Sequence, residues 1–307
     1  MKPSFPLLLG VLNVTPDSFS DGGKFLKVEA ARLRAQHIVE AGADWLDLGG
    51  ESTGPGSVEV SLEEELQRVL PVLACIQEDH PELTVSIDTW KAEVARRCLS
   101  MGAKVINDVT ALRRDPAMAE VVAEAGVPVI LMHAKEADGR TTRAVQHYDD
   151  VISTVKAFFE ERVRWATDHG IQEEQIILDP GLGFFISAEA RYSFEIVRRL
   201  PELKALGFPL LLGPSRKSFL AGVSPGRTLS TEERLIPGVS LSAIAAWLGV
   251  DILRTHDVQA GRLLLDTVQA IPPIILSMYR FDESNLTDWV RIGFFFKPYR
   301  INTNEVW

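Results

Sequence analysis

The sequence FPLLLGPSRKSFL, residues 208–220, places a short apolar run directly before a polar loop that carries two adjacent cations. The run is almost continuously apolar and rich in leucine, as expected of a parallel strand that is buried on both faces. Arg216 and Lys217 follow at the point where that strand ends. Because the same arrangement recurs along the chain, it decides the fold class.

Short apolar runs followed by polar residues also occur at 6–13, 43–50, 83–89, 104–110, 127–133, 175–181 and 251–257. Stretches with helical periodicity separate them, and the Ser61–Glu64 and Ser230–Glu233 pairs have the spacing of capping boxes. Eight strands that alternate with helices predict an α/β fold, a (β/α)8 TIM barrel. An open doubly wound sheet is the alternative, although no G-x-G-x-x-G motif opens a helix after the first strand.

The barrel is expected to occupy residues 1–271, followed by a C-terminal extension of unknown role at 272–307. Two loops after predicted strands, 15–25 and 50–60, are rich in turn-forming residues and are candidate flaps over a site.

The composition argues against several classes of function. The formal net charge of −10 disfavours a nucleic-acid or membrane-surface role, since either would require a basic face. Cys75 and Cys98 have no metal-binding spacing, and small buried thiols in helices are expected. The N-terminal apolar run is too short for a membrane span and is followed by polar residues unlike those of a signal peptide. We therefore expect a cytoplasmic protein.

Polar side chains end nearly every predicted strand, and in barrels the chemistry gathers at the carboxyl ends of the strands. These residues are Asn13, 47–53, Asp88, Asn107, Asp108, His133, Asp179, 215–217, Arg254, His256 and Asp257. Any one of them could instead cap a helix. For Asp108, Asp257 and Thr89, and also for His133, we expect a structural role.

The remaining residues divide by charge. Asp88, Asn107 and Asp179 offer acceptors and an amide, which suit a flat heterocycle with N–H groups on its edge. Lys217, Arg254 and His256 offer donors and positive charge, which suit a carbonyl or phosphate. The sequence thus predicts a ligand with a hydrogen-bonding ring at one end and an anion at the other. Arg216 could equally point outward into a surface ion pair.

Several motifs in order resemble the dihydropteroate synthase family: GVLNVTPDSFSDGGKF, DLGGEST, SIDT, INDV, LMH, LDPGLGF, SRKSFL and RTHDV, between about residues 7 and 260. The resemblance implies a dimeric (β/α)8 barrel and a transferase of folate biosynthesis. Such an enzyme joins 6-hydroxymethyl-7,8-dihydropterin diphosphate to 4-aminobenzoate, releases pyrophosphate, uses Mg²⁺ and is a sulfonamide target.

The resemblance also implies roles at matching positions. Asp88, Asn107, Asp179 and Lys217 match residues that bind the pterin. Asn13, Arg254 and His256 match residues on the diphosphate side. Thr53, Pro55, Phe184 and Ser215 match residues that surround 4-aminobenzoate. Gly213 joins the substrate-binding set, Asn13 would touch the Mg²⁺ ion, and the catalytic set is Asp88, Lys217, Arg254 and His256.

The chain departs from the family pattern in two loops. Gly54 stands where the family's ESTRPG motif has an arginine that helps with the anionic end, and Lys24 or Arg140 could compensate for it. The segment HAKEADGRTTR, 133–143, replaces the common Gln-Gly-x-Pro loop and looks more like the sulfonamide-insensitive branch. This predicts altered sulfonamide sensitivity.

Three rival functions remain open on sequence grounds. A pterin-dependent methyltransferase would have no diphosphate to hold, which SRK at 215–217 and RTH at 254–256 argue against. A non-catalytic paralogue is the second alternative, because Gly54 stands where the family has an arginine. A sugar-phosphate isomerase or aldolase could use Lys217 as a Schiff-base residue, but its polar loop gives no sign of the burial that would lower the pKa.

Overall fold

A computed structural model of the chain describes residues 6–15 and 24–271, with side chains from residue 27 onward in the first helix. The proposed extension at 272–307 and most of the proposed flap at 15–25 lie outside the described residues.

Eight parallel strands form the sheet, and their order closes it into a barrel. They are β1 (Leu7–Asn13), β2 (Trp45–Gly49), β3 (Thr84–Asp88), β4 (Val105–Asp108), β5 (Val129–Met132), β6 (Ile176–Asp179), β7 (Leu211–Leu212) and β8 (Ile252–Thr255). The order is β6-β5-β4-β3-β2-β1-β8-β7, and a parallel bridge between Leu178 and Leu210 joins the two ends. The predicted TIM barrel is confirmed.

The described helices cover the outside of the barrel. They are α1 (Lys24–Glu40), α2 (Leu62–Asp79), α3 (Ala92–Ser100), α4 (Ala117–Ala125), α5 (Val151–Asp168), α6 (Ala190–Arg198), α7 (Leu200–Lys204), α8 (Leu235–Trp247) and α9 (Val258–Gln269). Ser61 caps α2 by accepting from the Glu64 N–H at 3.2 Å. The Ser230–Glu233 box also forms, but it closes a turn just before α8 rather than the helix itself.

The two-residue period of the strands separates two cores. One set of alternate residues packs against the helices, including Leu8, Leu46 and Leu253. The other set points into the barrel, whose base is filled by a cluster of Leu9, Val105, Ile130, Ile177, Leu211 and Ile252. Two residues after Val105, Ile177 and Ile252, the inward positions become polar and are occupied by Asn107, Asp179 and Arg254. The barrel therefore has an apolar floor and a polar mouth.

Within the described ranges, no helix combines the length and apolar character needed to cross a membrane.

Candidate active site

The strand register brings the predicted polar residues to one level of the barrel. Asn13 lies beside Gly49, Gly49 beside Asp88, and Asp88 beside Asn107 in four neighbouring strands. A Cβ on Gly49 would stand 3.3 Å from Asp88 Cβ and 3.5 Å from Asn13 Oδ1. Glycine at this position therefore leaves Asn13 and Asp88 room on the inner wall.

Arg254 is held between two carboxylates in the middle of the barrel. Its Nε donates to Asp47 Oδ2 at 2.7 Å, and its Nη2 donates to Asp88 Oδ2 at 2.9 Å. Asn107 Nδ2 donates to the same Asp47 oxygen at 3.1 Å. The predicted separation into an acceptor end and a cationic end is therefore wrong at Arg254, because the barrel brings this cation onto the carboxylates. Three of the five guanidinium N–H groups remain for a ligand.

The cluster has more carboxylates than cations. Buried Asp47 and Asp179 share one site with half-buried Asp88, Arg254 and Lys217. Burial, followed by the Asp47 charge, raises the pKa of Asp88 well above its usual range although Arg254 opposes the shift. Burial also raises the pKa of Asp179, which accepts from the Gly181 N–H at 2.8 Å. Although burial disfavours its charge, the neighbouring carboxylates raise the pKa of Arg254.

Lys217 points into the site, whereas its neighbour Arg216 points away. Arg216 adopts a left-handed φ of 55° and pairs with Asp257. The alternative that Arg216 points outward into an ion pair is therefore correct. Lys217 Nζ lies 4.7 Å from the centroid of the Phe185 ring. Burial lowers the pKa of Lys217 to about 8, although Asp179 opposes the shift. The expectation that this lysine is not desolvated is wrong, since the loop turns its side chain under Phe185.

His256 is present at the site but not as a cation. Burial and the nearby charge of Arg254 lower its pKa to about 4, so the imidazole is neutral at neutral pH. Its backbone N–H donates to Ser215 Oγ at 3.2 Å, and that hydroxyl lies 3.4 Å from Asp257 Oδ2. The predicted positive charge on His256 is therefore wrong. Ser215 ties the end of β8 to the loop after β7.

The residues expected to be structural have structural contacts. The Asp108 carboxylate accepts from the Thr110 N–H at 2.7 Å and from the Leu112 N–H at 2.8 Å, and so holds the turn after β4. Thr89 Oγ1 accepts from the Lys91 N–H at 3.2 Å. His133 is buried edge-on against Phe158, and burial lowers its pKa to about 4.

The remaining predicted residues lie around the barrel mouth. Thr53 and Pro55 are half-buried in the loop after β2, and Phe184 is half-buried in the short 3-10 helix Gly183–Phe185. Gly213 follows β7, where a Cβ would stand 3.5 Å from Arg254 Cβ.

Sequence reasoning did not name Phe185, and it placed Asp47 at the strand ends only as part of the stretch 47–53, without a role in the site. Asp47 is completely buried inside β2, where the motif DLGG gave it no distinct role. Its position two residues before Gly49, on the same face of the strand, is the signal that could have identified it.

One residue fits the implied metal. Asn13 carries a hard amide oxygen at the end of β1, and Mg²⁺ is commonly held by one or two protein oxygens together with substrate phosphates. In the part of the chain that the structure describes, no three His, Cys, Asp or Glu side chains form a metal cage. The residues suit an ion held mainly by a phosphorylated substrate.

Comparison with known proteins decides which barrel family this site represents. The pterin binding enzyme family matches residues 9–256. The chain is 42% identical to the dihydropteroate synthase of Synechocystis over 267 residues, covering 86% of this chain and 89% of that protein. The chain belongs to the dihydropteroate synthase family. The resemblance seen in the sequence motifs is confirmed.

Solved structures of the family agree in fold. A Xanthomonas albilineans dihydropteroate synthase with 4-aminobenzoic acid has a TM-score of 0.79 and 42% identity, covering 88% of this chain and 95% of that one. A Xanthomonas albilineans synthase in complex with 7,8-dihydropteroate has a TM-score of 0.76 and 40% identity, covering 88% and 95%. Family membership favours pterin chemistry over the isomerase and aldolase alternatives.

Proposed function

We propose that the chain condenses 6-hydroxymethyl-7,8-dihydropterin diphosphate with 4-aminobenzoate, giving 7,8-dihydropteroate and pyrophosphate. The observation that carries the proposal is the arrangement of buried Asn107 and Asp179 with half-buried Asp88, Lys217 and Arg254 at the mouth of a barrel of this family. These side chains offer carboxylate and amide acceptors together with two cations, which suit a pterin ring joined to a diphosphate.

The reaction breaks the bond between the pterin methylene carbon and the diphosphate oxygen. As that bond breaks, positive charge develops on the pterin, and the Asp88 carboxylate would stabilise it. The remaining guanidinium N–H groups of Arg254 would bind the departing pyrophosphate, with neutral His256 as a hydrogen-bond donor. The amino nitrogen of 4-aminobenzoate forms the new bond to carbon and loses a proton. No protein nucleophile is required.

The substrate would be fixed by the strand ends. Lys217 and Asp179 would position the ring, while Thr53, Pro55, Phe184 and Ser215 would surround the aminobenzoate. Asn13 would hold Mg²⁺, which when bound supplies positive charge to the diphosphate leaving group.

We also propose a homodimer. Ile236, Ile244 and Trp247 lie along α8 with 75%, 51% and 41% of their surface exposed, and an apolar helix face supports a self-association surface. Light scattering on the purified chain, with an Ile236→Glu variant beside it, tests this proposal. The cytoplasmic location stays a prediction.

The direct test is pyrophosphate release by the purified protein, with 7,8-dihydropteroate identified as the second product. Release should require both substrates, should stop with EDTA and return with Mg²⁺, and should be lost in Lys217→Ala. A folded protein that binds the pterin diphosphate but releases no pyrophosphate would instead support the non-catalytic alternative. In that case Gly54 is the first position to change to arginine.

A further inference from the structure

Two loops at the mouth of the barrel are joined by a short series of contacts. The loop after β5 carries Arg140 and Thr141, which reach the loop after β2. Arg140 Nη1 donates to Ser57 Oγ at 3.0 Å, and its Nη2 pairs with the Glu51 carboxylate. The Thr141 N–H donates to the Thr53 carbonyl oxygen at 3.1 Å. Both ends of the segment 51–57 are thus attached to Arg140, and Thr53 within the segment is attached to Thr141.

The segment between those attachments has few constraints of its own. A Cβ on Gly54 would meet only Ser52 Oγ, at 3.6 Å, and Gly56 has a left-handed φ of 85° with no atom near its missing side chain. The Ser57 N–H donates to the Gly54 carbonyl at 3.0 Å and closes a turn. Val58, just beyond, is 82% exposed. With two glycines and little burial, the segment depends on its attachments for a fixed conformation.

The attachment at Glu51 belongs to a buried charge cluster. Lys91 Nζ lies 2.5 Å from Glu65 Oε2 and also pairs with Glu51, and all three residues are buried. Two carboxylates and one lysine leave one uncompensated negative charge. Arg140, whose side chain is only 16% exposed, provides the balancing positive charge. The four side chains together are neutral.

We infer that Arg140 is a positioning residue that, together with Thr141, clamps the segment 51–57 so that Thr53 and Pro55 form the aminobenzoate side of the site. This rests on the proposed function. The guanidinium of Arg140 is directed at Glu51 and at Ser57 rather than at the carboxylate cluster around Arg254. Arg140 therefore acts through the loop and not by contact with the substrate.

The first experiment separates loop order from activity. Hydrogen exchange of a peptide covering 52–58 is measured without substrates in the wild type, Arg140→Ala and Arg140→Lys. We expect faster exchange in Arg140→Ala and partial protection in Arg140→Lys, because the lysine keeps the charge but not the paired donors. Arg32→Ala is the matched control: Arg32 bonds Asp79 at the far end of α2. Unchanged exchange in Arg140→Ala overturns the clamp, whether or not the protein is active.

Steady-state kinetics then test the consequence for the site. In Arg140→Ala the KM for 4-aminobenzoate should rise about tenfold, while the KM for the pterin diphosphate should stay within about twofold. Equal changes in both KM values would overturn the proposed selectivity of the clamp. If the wild type makes no product, the proposed function fails, while the exchange experiment still decides whether the clamp exists.

A double substitution distinguishes positioning from charge balance alone. Arg140→Met leaves the buried cluster with one excess negative charge, and adding Glu51→Gln restores neutrality by leaving only the Lys91–Glu65 pair. The double variant should therefore regain much of the Tm lost in Arg140→Met, since the two sites share an interaction. Its KM for 4-aminobenzoate should stay raised, because the attachment is still missing. Recovery of both quantities together would reduce Arg140 to a structural role and refute the inference.

Discussion

Replacing Asp47 by asparagine removes one charge from the centre of the barrel while keeping the shape of the side chain. Asp47 is completely buried, and its Oδ2 accepts from Arg254 Nε at 2.7 Å and from Asn107 Nδ2 at 3.1 Å. An amide oxygen can still accept these hydrogen bonds, but Arg254 then has only one carboxylate, Asp88, to hold it in place. Asp47→Asn therefore loosens the orientation of the arginine without opening a cavity.

The magnitude follows from the difference between a charged and a neutral hydrogen bond. A hydrogen bond to a charged group contributes roughly 1.5–3 kcal/mol and a neutral one roughly 0.5–1.5 kcal/mol, so the loss is about 1–1.5 kcal/mol. At about 1.4 kcal/mol per factor of ten, kcat/KM for the pterin diphosphate should fall about 5- to 12-fold. The assay is pyrophosphate release at saturating 4-aminobenzoate across the pH range.

The pH profile provides a second readout of the same substitution. The Asp47 charge helps to raise the pKa of Asp88, so removing it should lower that pKa. The Asp88 carboxylate then stays ionised to lower pH. An acid limb in the pH profile of kcat/KM that reflects protonation of Asp88 should therefore move to lower pH.

Asp44→Asn is the matched control, because Asp44 forms a carboxylate–arginine pair just before the same strand. It is exposed, and its Oδ2 accepts from Arg262 at 2.7 Å and from the Leu8 N–H at 2.7 Å, outside the site. We expect kcat/KM to be unchanged in this control. A folded Asp47→Asn protein with wild-type kcat/KM, or an equal loss in both variants, would refute the reasoning.

Three further predictions concern the charge of Lys217 and the two loops whose sequences differ from the family pattern. Burial lowers the pKa of Lys217 to about 8, so its ammonium is present below about pH 8 and lost above it. We therefore expect kcat/KM to fall above about pH 8, and we expect Lys217→Arg to move this alkaline limb of the profile to higher pH. A flat profile up to about pH 9.5 would contradict this. The Gly54→Arg variant should fold normally, since a Cβ at this position meets only Ser52 Oγ, at 3.6 Å. Its kcat/KM should increase by up to about tenfold, because the added guanidinium offers a charged hydrogen bond to the anionic substrate. A lower Tm in this variant would contradict the prediction. The segment 133–143 predicts weaker sulfonamide inhibition than in a sensitive synthase assayed in parallel, and superimposable inhibition curves would reject that.

Part of the site could be predicted because the signal is local. Each inward polar residue follows an apolar strand, and the carboxyl ends of parallel strands meet at one rim. Asp88, Asn107 and Asp179 were therefore placed correctly at the barrel mouth. Arg140 could be named as a nearby cation, but its attachment to Glu51 required the structure, because 89 residues separate them.

The sequence by itself determined the barrel, the polar mouth and the family, because a two-residue period, strand ends and ordered motifs are properties of short segments. Only the tertiary structure decided the charge states and partners within the site. Arg254 pairs with Asp47 across 207 residues, His256 is neutral, and Lys217 is desolvated. The physical reason is that a pKa depends on burial and on neighbouring charges, and distant strands supply both.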